Sequence, residues 1–234
     1  MSFFVRVAIF GRTRSASQDM AATIAWFIRS DQMAAVRALS ERGFLLRCAD
    51  LKKGQTMSFK EIPAGKKIPD DVYVIIENPA RTPNIKYEVD KASGAVFVDR
   101  FSPTMLCFPA HYGFINQTLS EDGDPVDAFV YTDIPVVPGA VIRARPVGVL
   151  FTEDESGIDP KVICVPVEKL DRRFADVKEL ADLPKLFCEQ LEHFYKHYKD
   201  LEPGKWVKIS GWGDAAAAKQ AITEGAARVN ADAA

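Results

Sequence analysis

The sequence is poor in the residues that several common chemistries need. Histidine occurs three times in 234 residues and cysteine four times. Cys48, Cys107, Cys164 and Cys188 stand far apart with no CxxC pair, which disfavours both a zinc site and a dithiol redox motif. They read as reduced, mostly buried thiols of a reducing compartment. No G-x-S-x-G and no Cys–His signature of covalent catalysis is present. His193 and His197 are spaced i, i+4 as zinc ligands can be, but Glu192 precedes His193 and H-E-x-x-H is absent. These two and His111 read as structural or interface residues. No apolar run approaches the roughly 18–20 residues that a membrane helix needs. The apolar stretch over residues 3–10 is short, is broken by Arg6 and follows no basic region, so it does not read as a signal peptide. Internal repeats and low-complexity tracts are lacking too.

What is present is an uneven distribution of charge. Lys and Arg total 30 and Asp and Glu 32, a formal net charge of -2. Residues 1–60 carry ten Lys/Arg against four Asp/Glu, whereas residues 61–234 carry twenty against twenty-eight. An acidic body argues against a nucleic-acid-binding surface and suits one that collects divalent cations. The first acid in the chain is Asp19, while arginine and serine precede it. Residues 1–56 therefore read as an N-terminal extension, similar to a transit peptide or a non-native upstream segment, with one helix over 20–39. The working domain is expected over 57–234.

From residue 72 the pattern is β. A β-branched run covers 72–76, and over 85–89 apolar and polar residues alternate, which sets Lys86 and Glu88 on one face of a strand. Further short strands are expected over 96–101, 128–131, 141–150, 162–165 and 206–209, punctuated by Ser93-Gly94, Pro138-Gly139 and Pro203-Gly204. One amphipathic helix is expected behind Asp182 as cap and Pro184 in the first turn. Its apolar stripe would be Leu183, Leu186, Phe187, Leu191, Phe194 and Tyr198. An alanine-rich helix is expected over 214–229. The fold class is α+β: a small OB-like closed β-barrel with two flanking helices and the extra N-terminal segment.

Asp122, Asp124 and Asp127 fall within six residues around Gly123 and Pro125. Three ionised carboxylates so close repel one another, which a fold tolerates on a solvated loop or where a cation neutralises them. Hard cations such as Mg²⁺ favour such oxygen ligands. The calcium-loop pattern D-x-[DN]-x-[DN]-G fails here, and the segment alone is equally an acidic turn. Glu153, Asp154, Glu155 and Asp159 form a second acidic group; a solvated hairpin loop is the alternative, disfavoured by the Lys161 that follows so closely and by the first cluster. Glu77 and Glu88 add carboxylates. Lys86, Arg100, Tyr112, Tyr198 and Lys199 interleave cations and phenols. Acids for a metal, with cations and hydroxyls for phosphate oxygens, are what a metal–phosphate site needs.

The string "GDPVD" within "EDGDPVDAFV" is similar to the signature of family I soluble inorganic pyrophosphatases. The resemblance extends through "IPDDVYVIIENPA", "IKYEVDKASGAVFVDR", "FPAHYGFINQTLSEDGDPVD", "RPVGVLFTEDESGIDPK" and "HFYKHYKDLEPGKWVKISGW", roughly residues 60–212, and is closest to the bacterial form. It implies a Mg²⁺-dependent hydrolysis of pyrophosphate to two phosphates. Asp122, Asp127 and Asp159 would hold the first ion, and Asp127 would bridge to a second. Asp124 would orient the attacking water between them and accept its proton. Asp154 and Asp159 would bind a further ion that arrives with the substrate, and Glu77 and Glu88 would complete the acidic lining. Lys86, Arg100, Lys161, Tyr112, Tyr198 and Lys199 would grip the phosphates, with Glu155 beside them. The resemblance also implies a homohexamer, with His193 and His197 near subunit contacts. Cytoplasm is the expected compartment, or an organelle if the arm is a transit peptide. Neither a nucleic acid nor a membrane is expected as partner. One position departs: Phe108 stands where the bacterial pattern usually carries Tyr, so a phenol is missing. The rival readings are a non-catalytic β-barrel module that binds nucleic acid or a nucleotide, and a plain calcium-binding protein.

Overall fold

The computed structural model describes residues 59–232 other than Pro83. The expectations for residues 1–56, including the helix over 20–39 and Cys48, lie outside them. Ten strands follow in order: β1 (Gly65–Lys67), β2 (Asp71–Asn78), β3 (Ile85–Val89), β4 (Val96–Phe101), β5 (His111–Ile115), β6 (Asp127–Val130), β7 (Val141–Asp154), β8 (Gly157–Ile158), β9 (Lys161–Pro166) and β10 (Val207–Gly213). Helix α1 (Lys185–His197) precedes β10, and α2 (Ala215–Asp232) ends the described chain.

The main sheet is ordered β1-β2-β5-β6-β9-β7-β10, with β8 on β7 and a further pairing of β2 with β7. Most neighbours are antiparallel, but β6 and β9 run parallel. β3 and β4 form a separate hairpin. Every strand expected from the sequence is present. β5 was not expected, because its HYGFI pattern does not alternate. Gly113 lets that strand lie close to β2: a Cβ there would stand 1.8 Å from the Ile75 carbonyl oxygen.

The sheet separates two apolar clusters. One face carries Val74, Ile76, Ala128, Val130, Val162 and Cys164, and α2 caps it with Ala218 and Ile222. The other carries Phe129, Leu150, Ile163 and Val165, and α1 covers it with Phe187, Leu191, Phe194 and Tyr195. Strand pairs keep each set on one face because opposed residues share a side: Phe129 faces Tyr112 on β5 and Ile163 on β9. Burying these side chains supplies most of the drive for the fold.

Two details of α1 differ from expectation. Asp182 does not cap it. The Asp182 carboxylate accepts from the Lys178 and Glu179 amides, closing a 3₁₀ turn over Leu180–Asp182, and Pro184 takes the position before Lys185. Leu186 leaves the stripe and is 61 % exposed, while Tyr195 joins the buried face. A 3.6-residue period brings both 191 and 195 inward, and 186 falls outside that arc. Asp214 does cap α2, accepting from the Ala217 amide at 2.8 Å. Among the described residues no helix is long and apolar enough to cross a membrane.

His111 is buried on β5. Its Nδ1 accepts from the Ala80 amide at 3.0 Å, so its Nε2 donates to the Ile134 carbonyl at 3.0 Å. Protonating Nδ1 would cost the first bond, and burial lowers the pKa below its ordinary value. The unfolded chain then takes up a proton before the folded one does. Stability is complete above the unfolded pKa and falls as the pH drops toward the folded one. We expect the melting temperature to fall between about pH 7 and pH 5, and His111→Gln to flatten that decline. An equally steep decline in the variant would remove His111 from this role.

Candidate active site

A cleft opens where the strand ends of β6 and β9 meet the C-terminal end of α1 and the β3–β4 hairpin. The parallel register Ala128↔Val162 sets Asp127 and Lys161 side by side at the strand starts. Tyr112 lies on the same face of β5, and its hydroxyl donates to Asp127 at 2.5 Å. The Lys161 ammonium is bonded to both Asp127 and Asp159. Glu77 reaches in from the end of β2, Lys86 and Glu88 from β3 and Arg100 from β4.

The segment between β5 and β6 is shaped by its backbone. Ser120 donates to the Asp124 carbonyl at 2.6 Å, and the Asp124 amide donates to the Asp122 carboxylate at 3.0 Å. Gly123 sits at φ 92°, a conformation that favours glycine. Pro125 and Val126 then lead into β6, with the Val126 amide on the Thr118 hydroxyl at 2.9 Å. The turn thus presents Asp122, Asp124 and Asp127 to one opening, the second of them with a side chain 70 % exposed. On the far side, β7 runs four residues past its expected end and carries Asp154 into the cleft. The β7–β8 hairpin presents Glu155 beside it. The acidic hairpin is therefore a hairpin and a wall of the cleft at once. Tyr198 and Lys199 follow α1 directly, and Lys199 binds Asp154 at 2.9 Å and Glu155 at 3.1 Å.

The cleft is lined by Glu77, Lys86, Glu88, Arg100, Tyr112, Asp122, Asp124, Asp127, Asp154, Glu155, Asp159, Lys161, Tyr198 and Lys199; of the acidic groups singled out in the sequence, Glu153 stays outside it and pairs with Lys208 at 3.2 Å. Phe108 lines it too, stacked on Tyr112 with ring centres 5.2 Å apart. The sequence reading missed Lys91, Glu202, Lys205 and Tyr195, which also line it, and Asp99, which binds its cations. Lys91 meets Asp124 at 2.9 Å, Asp99 binds Lys86 at 3.2 Å and Arg100 at 3.0 Å, and Glu202 meets Arg100 at 3.4 Å. Lys205 binds Glu155 at 2.6 Å. Glu202 and Lys205 flank the Pro203-Gly204 turn and Asp99 adjoins Arg100, so these three sit next to signals that the sequence shows.

The electrostatics are lopsided. Burial pushes the Glu77 carboxyl up to about 7, against the bond it accepts from the Val89 amide, and Asp127 adds to the rise. Burial pushes Asp159 up to about 7 as well, with Lys161 opposing and Asp127 and Asp122 contributing. Asp122 is raised by burial too. Burial works against the Lys161 ammonium, yet Asp127, Tyr195 and Asp159 together outweigh it and Lys161 stays charged. One ammonium thus faces Asp122, Asp127 and Asp159 and cannot neutralise them all. At the other wall the balance reverses. Burial would raise Glu155, but Lys205 and Lys199 hold it down to about 2. Burial and the Asp127 charge push Tyr112 well up, so its hydroxyl remains a donor.

The donors on the acidic side are all carboxylate oxygens, the set that hard divalent cations take. Their unneutralised charge fits a cation. Among the described residues no three of them are already gathered at metal-binding distance; instead, the Lys161 ammonium lies between Asp127 and Asp159.

Carboxylates suited to hard cations, facing cations and phenols suited to phosphate oxygens, define an enzyme of the phosphohydrolase class. Comparison with known proteins makes the class specific. The family described as inorganic pyrophosphatase matches residues 74–230. The inorganic pyrophosphatase of Pseudomonas aeruginosa is 57% identical over 171 residues, covering 73% of this chain and 98% of that protein. That of Escherichia coli is 55% identical over 166 residues, 71% of this chain and 94% of that protein. Among solved structures, the inorganic pyrophosphatase of Coxiella burnetii superposes with a TM-score of 0.70 at 45% identity, covering 72% of this chain and 99% of that one. The Thermus thermophilus enzyme gives 0.70 at 41%, covering 74% and 99%. The chain belongs to the inorganic pyrophosphatase family.

Proposed function

We propose that the chain hydrolyses inorganic pyrophosphate to two phosphates in the cleft described above, with Mg²⁺ as its metal. The observation that carries the reading is the meeting of acidic and basic walls in one cleft of a chain that matches family members over almost their whole length. The rival binding-module reading finds no support among these relatives. Asp122, Asp127 and Asp159 would hold Mg²⁺, with Asp154, Glu77 and Glu88 completing the acidic lining. When bound, Mg²⁺ supplies charge neutralisation and lowers the pKa of water from 15.7 toward about 7.

The chain's own groups do the rest. Asp124, exposed at the mouth, orients the attacking water and accepts its proton. Lys86, Arg100, Lys161, Tyr112, Tyr198 and Lys199 bind the phosphoryl oxygens and stabilise the charge that grows on the leaving phosphate. Lys161 has two roles: it tempers the acidic wall, and its fixed ammonium waits beside the phosphate position.

The same reading extends to architecture. We read the main sheet as a closed, OB-like barrel, because β2 pairs β5 and also β7, and the pairings return to their start through β6 and β9. The catalytic domain is taken to begin near Met57, since about three quarters of the chain accounts for nearly all of the bacterial relatives. A homohexamer is proposed, for which the exposed His193 and His197 on the outer face of α1 offer contact residues. The cytoplasm is its proposed compartment.

The test is phosphate release from pyrophosphate, run on the full chain and on a chain that begins at Met57. Turnover by both is expected with Mg²⁺, and none once a chelator removes it. Lack of turnover with Mg²⁺ overturns the reading; failure of the shorter chain alone overturns the domain boundary.

A further inference from the structure

The helical period that buries Phe187, Leu191 and Phe194 also turns Tyr195 inward. The Tyr195 ring is 4% exposed. It stands edge-on to Phe129, with centres 6.0 Å apart, and to Tyr198 at 5.5 Å. A phenol enclosed to this degree ordinarily spends its hydroxyl on a protein partner. Among the described residues the Tyr195 hydroxyl makes no hydrogen bond, and yet it is not one of the sealed, unpartnered atoms: the one such side-chain atom is Asn84 Oδ1. Its oxygen is therefore not sealed, and Tyr195 lines the cleft.

The groups around that oxygen are the central ones of the site. Lys161, Tyr198, Asp127 and Asp159 all act on it electrostatically. Lys161 spends its bonds on Asp127 and Asp159, and Tyr112 donates to Asp127. Phe108 offers the same cleft only hydrocarbon. Tyr195 is thus a phenol, kept protonated by burial, with a free donor beside the Lys161 ammonium.

We propose that Tyr195 is a further phosphate-binding residue: its hydroxyl donates to a phosphoryl oxygen of the substrate alongside the Lys161 ammonium. The ring is a fixed part of the core, so the donor is held in place before the substrate arrives and costs little to order. The inference rests on the pyrophosphatase reading and adds to it a group that the local sequence pattern does not reveal.

Tyr195→Phe tests it, since the ring and its packing stay while the oxygen goes. Parent and variant are compared in pyrophosphate turnover with Mg²⁺ and in the affinity for inorganic phosphate, measured by calorimetry. A donor to a charged oxygen is worth about tenfold, so the variant is expected to bind phosphate about tenfold more weakly and to lose about tenfold in kcat/KM, mainly through KM. Its melting temperature is expected to match the parent's. Phosphate affinity and KM equal to the parent's overturn the inference, whether or not the melting temperature shifts. A parent that does not turn over pyrophosphate overturns the pyrophosphatase reading itself, which is a separate result.

Discussion

Asp124→Asn is expected to lower turnover by about 10²–10⁴-fold while leaving the fold intact, the range that a positioned general base supplies. The Asp124 side chain is 70 % exposed, and among the described residues its one ion pair is with Lys91 at 2.9 Å. Exposed pairs of this kind contribute about 0–1 kcal/mol at most. The loop around it is held through the Asp124 backbone, whose carbonyl accepts from the Ser120 amide and whose amide donates to the Asp122 carboxylate, and asparagine keeps both bonds. The amide side chain is nearly the same size but cannot take a proton from water. Steady-state kinetics with saturating Mg²⁺ and a thermal melt check the prediction together. Activity close to the parent's would show that another group accepts the proton. A large loss of stability would show that the carboxylate also holds the loop.

Lys161→Met is expected to act on both stability and catalysis. The Lys161 side chain is 5 % exposed, and its ammonium lies between Asp127 and Asp159. Methionine fills the same space with no charge, so the carboxylates of the acidic wall lose the cation between them. Removing one partner of a buried ion pair costs about 3–5 kcal/mol. In a domain of this size that corresponds to a fall in melting temperature of about 6–20 °C in metal-free buffer. Mg²⁺ should restore part of the loss, because it brings charge back to the same carboxylates. Catalysis should not recover, since the phosphate loses its ammonium: kcat/KM is expected to stay down by about a hundredfold or more. A variant equally stable without metal would show that Asp127 and Asp159 do not need the ammonium, and near-normal kcat/KM would remove Lys161 from the phosphate site.

Elements and chemistry differ in how far local sequence revealed them. The strand over 85–89 and the helix behind Pro184 show their periodicities plainly, and the chain folds there as those periods require. β5 escaped because HYGFI carries no alternation. It is a strand on account of its neighbours, with Gly113 admitting the β2 backbone. Asp182 looked like the cap of α1 and instead closes the turn before it, a choice between two amides that spacing alone cannot make. The candidate site residues carried chemistry that could be read by type, and all of them line one cleft. Lys91, Glu202 and Lys205, outside the regular elements, and Asp99, on β4, could not be assigned to the site, because a charge looks the same in the sequence whether it faces solvent or an opposite charge across the cleft.

The sequence by itself determined the inventory: a predominantly β domain with two helices, an acidic body, and carboxylates, cations and phenols in the order that the inorganic pyrophosphatase family carries. Local pattern suffices for that, since periodicity and residue chemistry are properties of neighbours in the chain. The tertiary structure decided which charges meet. The parallel pairing of β6 with β9 sets Lys161 against Asp127, residues that are 34 positions apart, and the inward turn of α1 brings the Tyr195 hydroxyl to the same place. Hydrogen bonds need contact and charge effects weaken with separation, so pKa values, ion pairs and free donors are fixed by distance in space, which the sequence does not state.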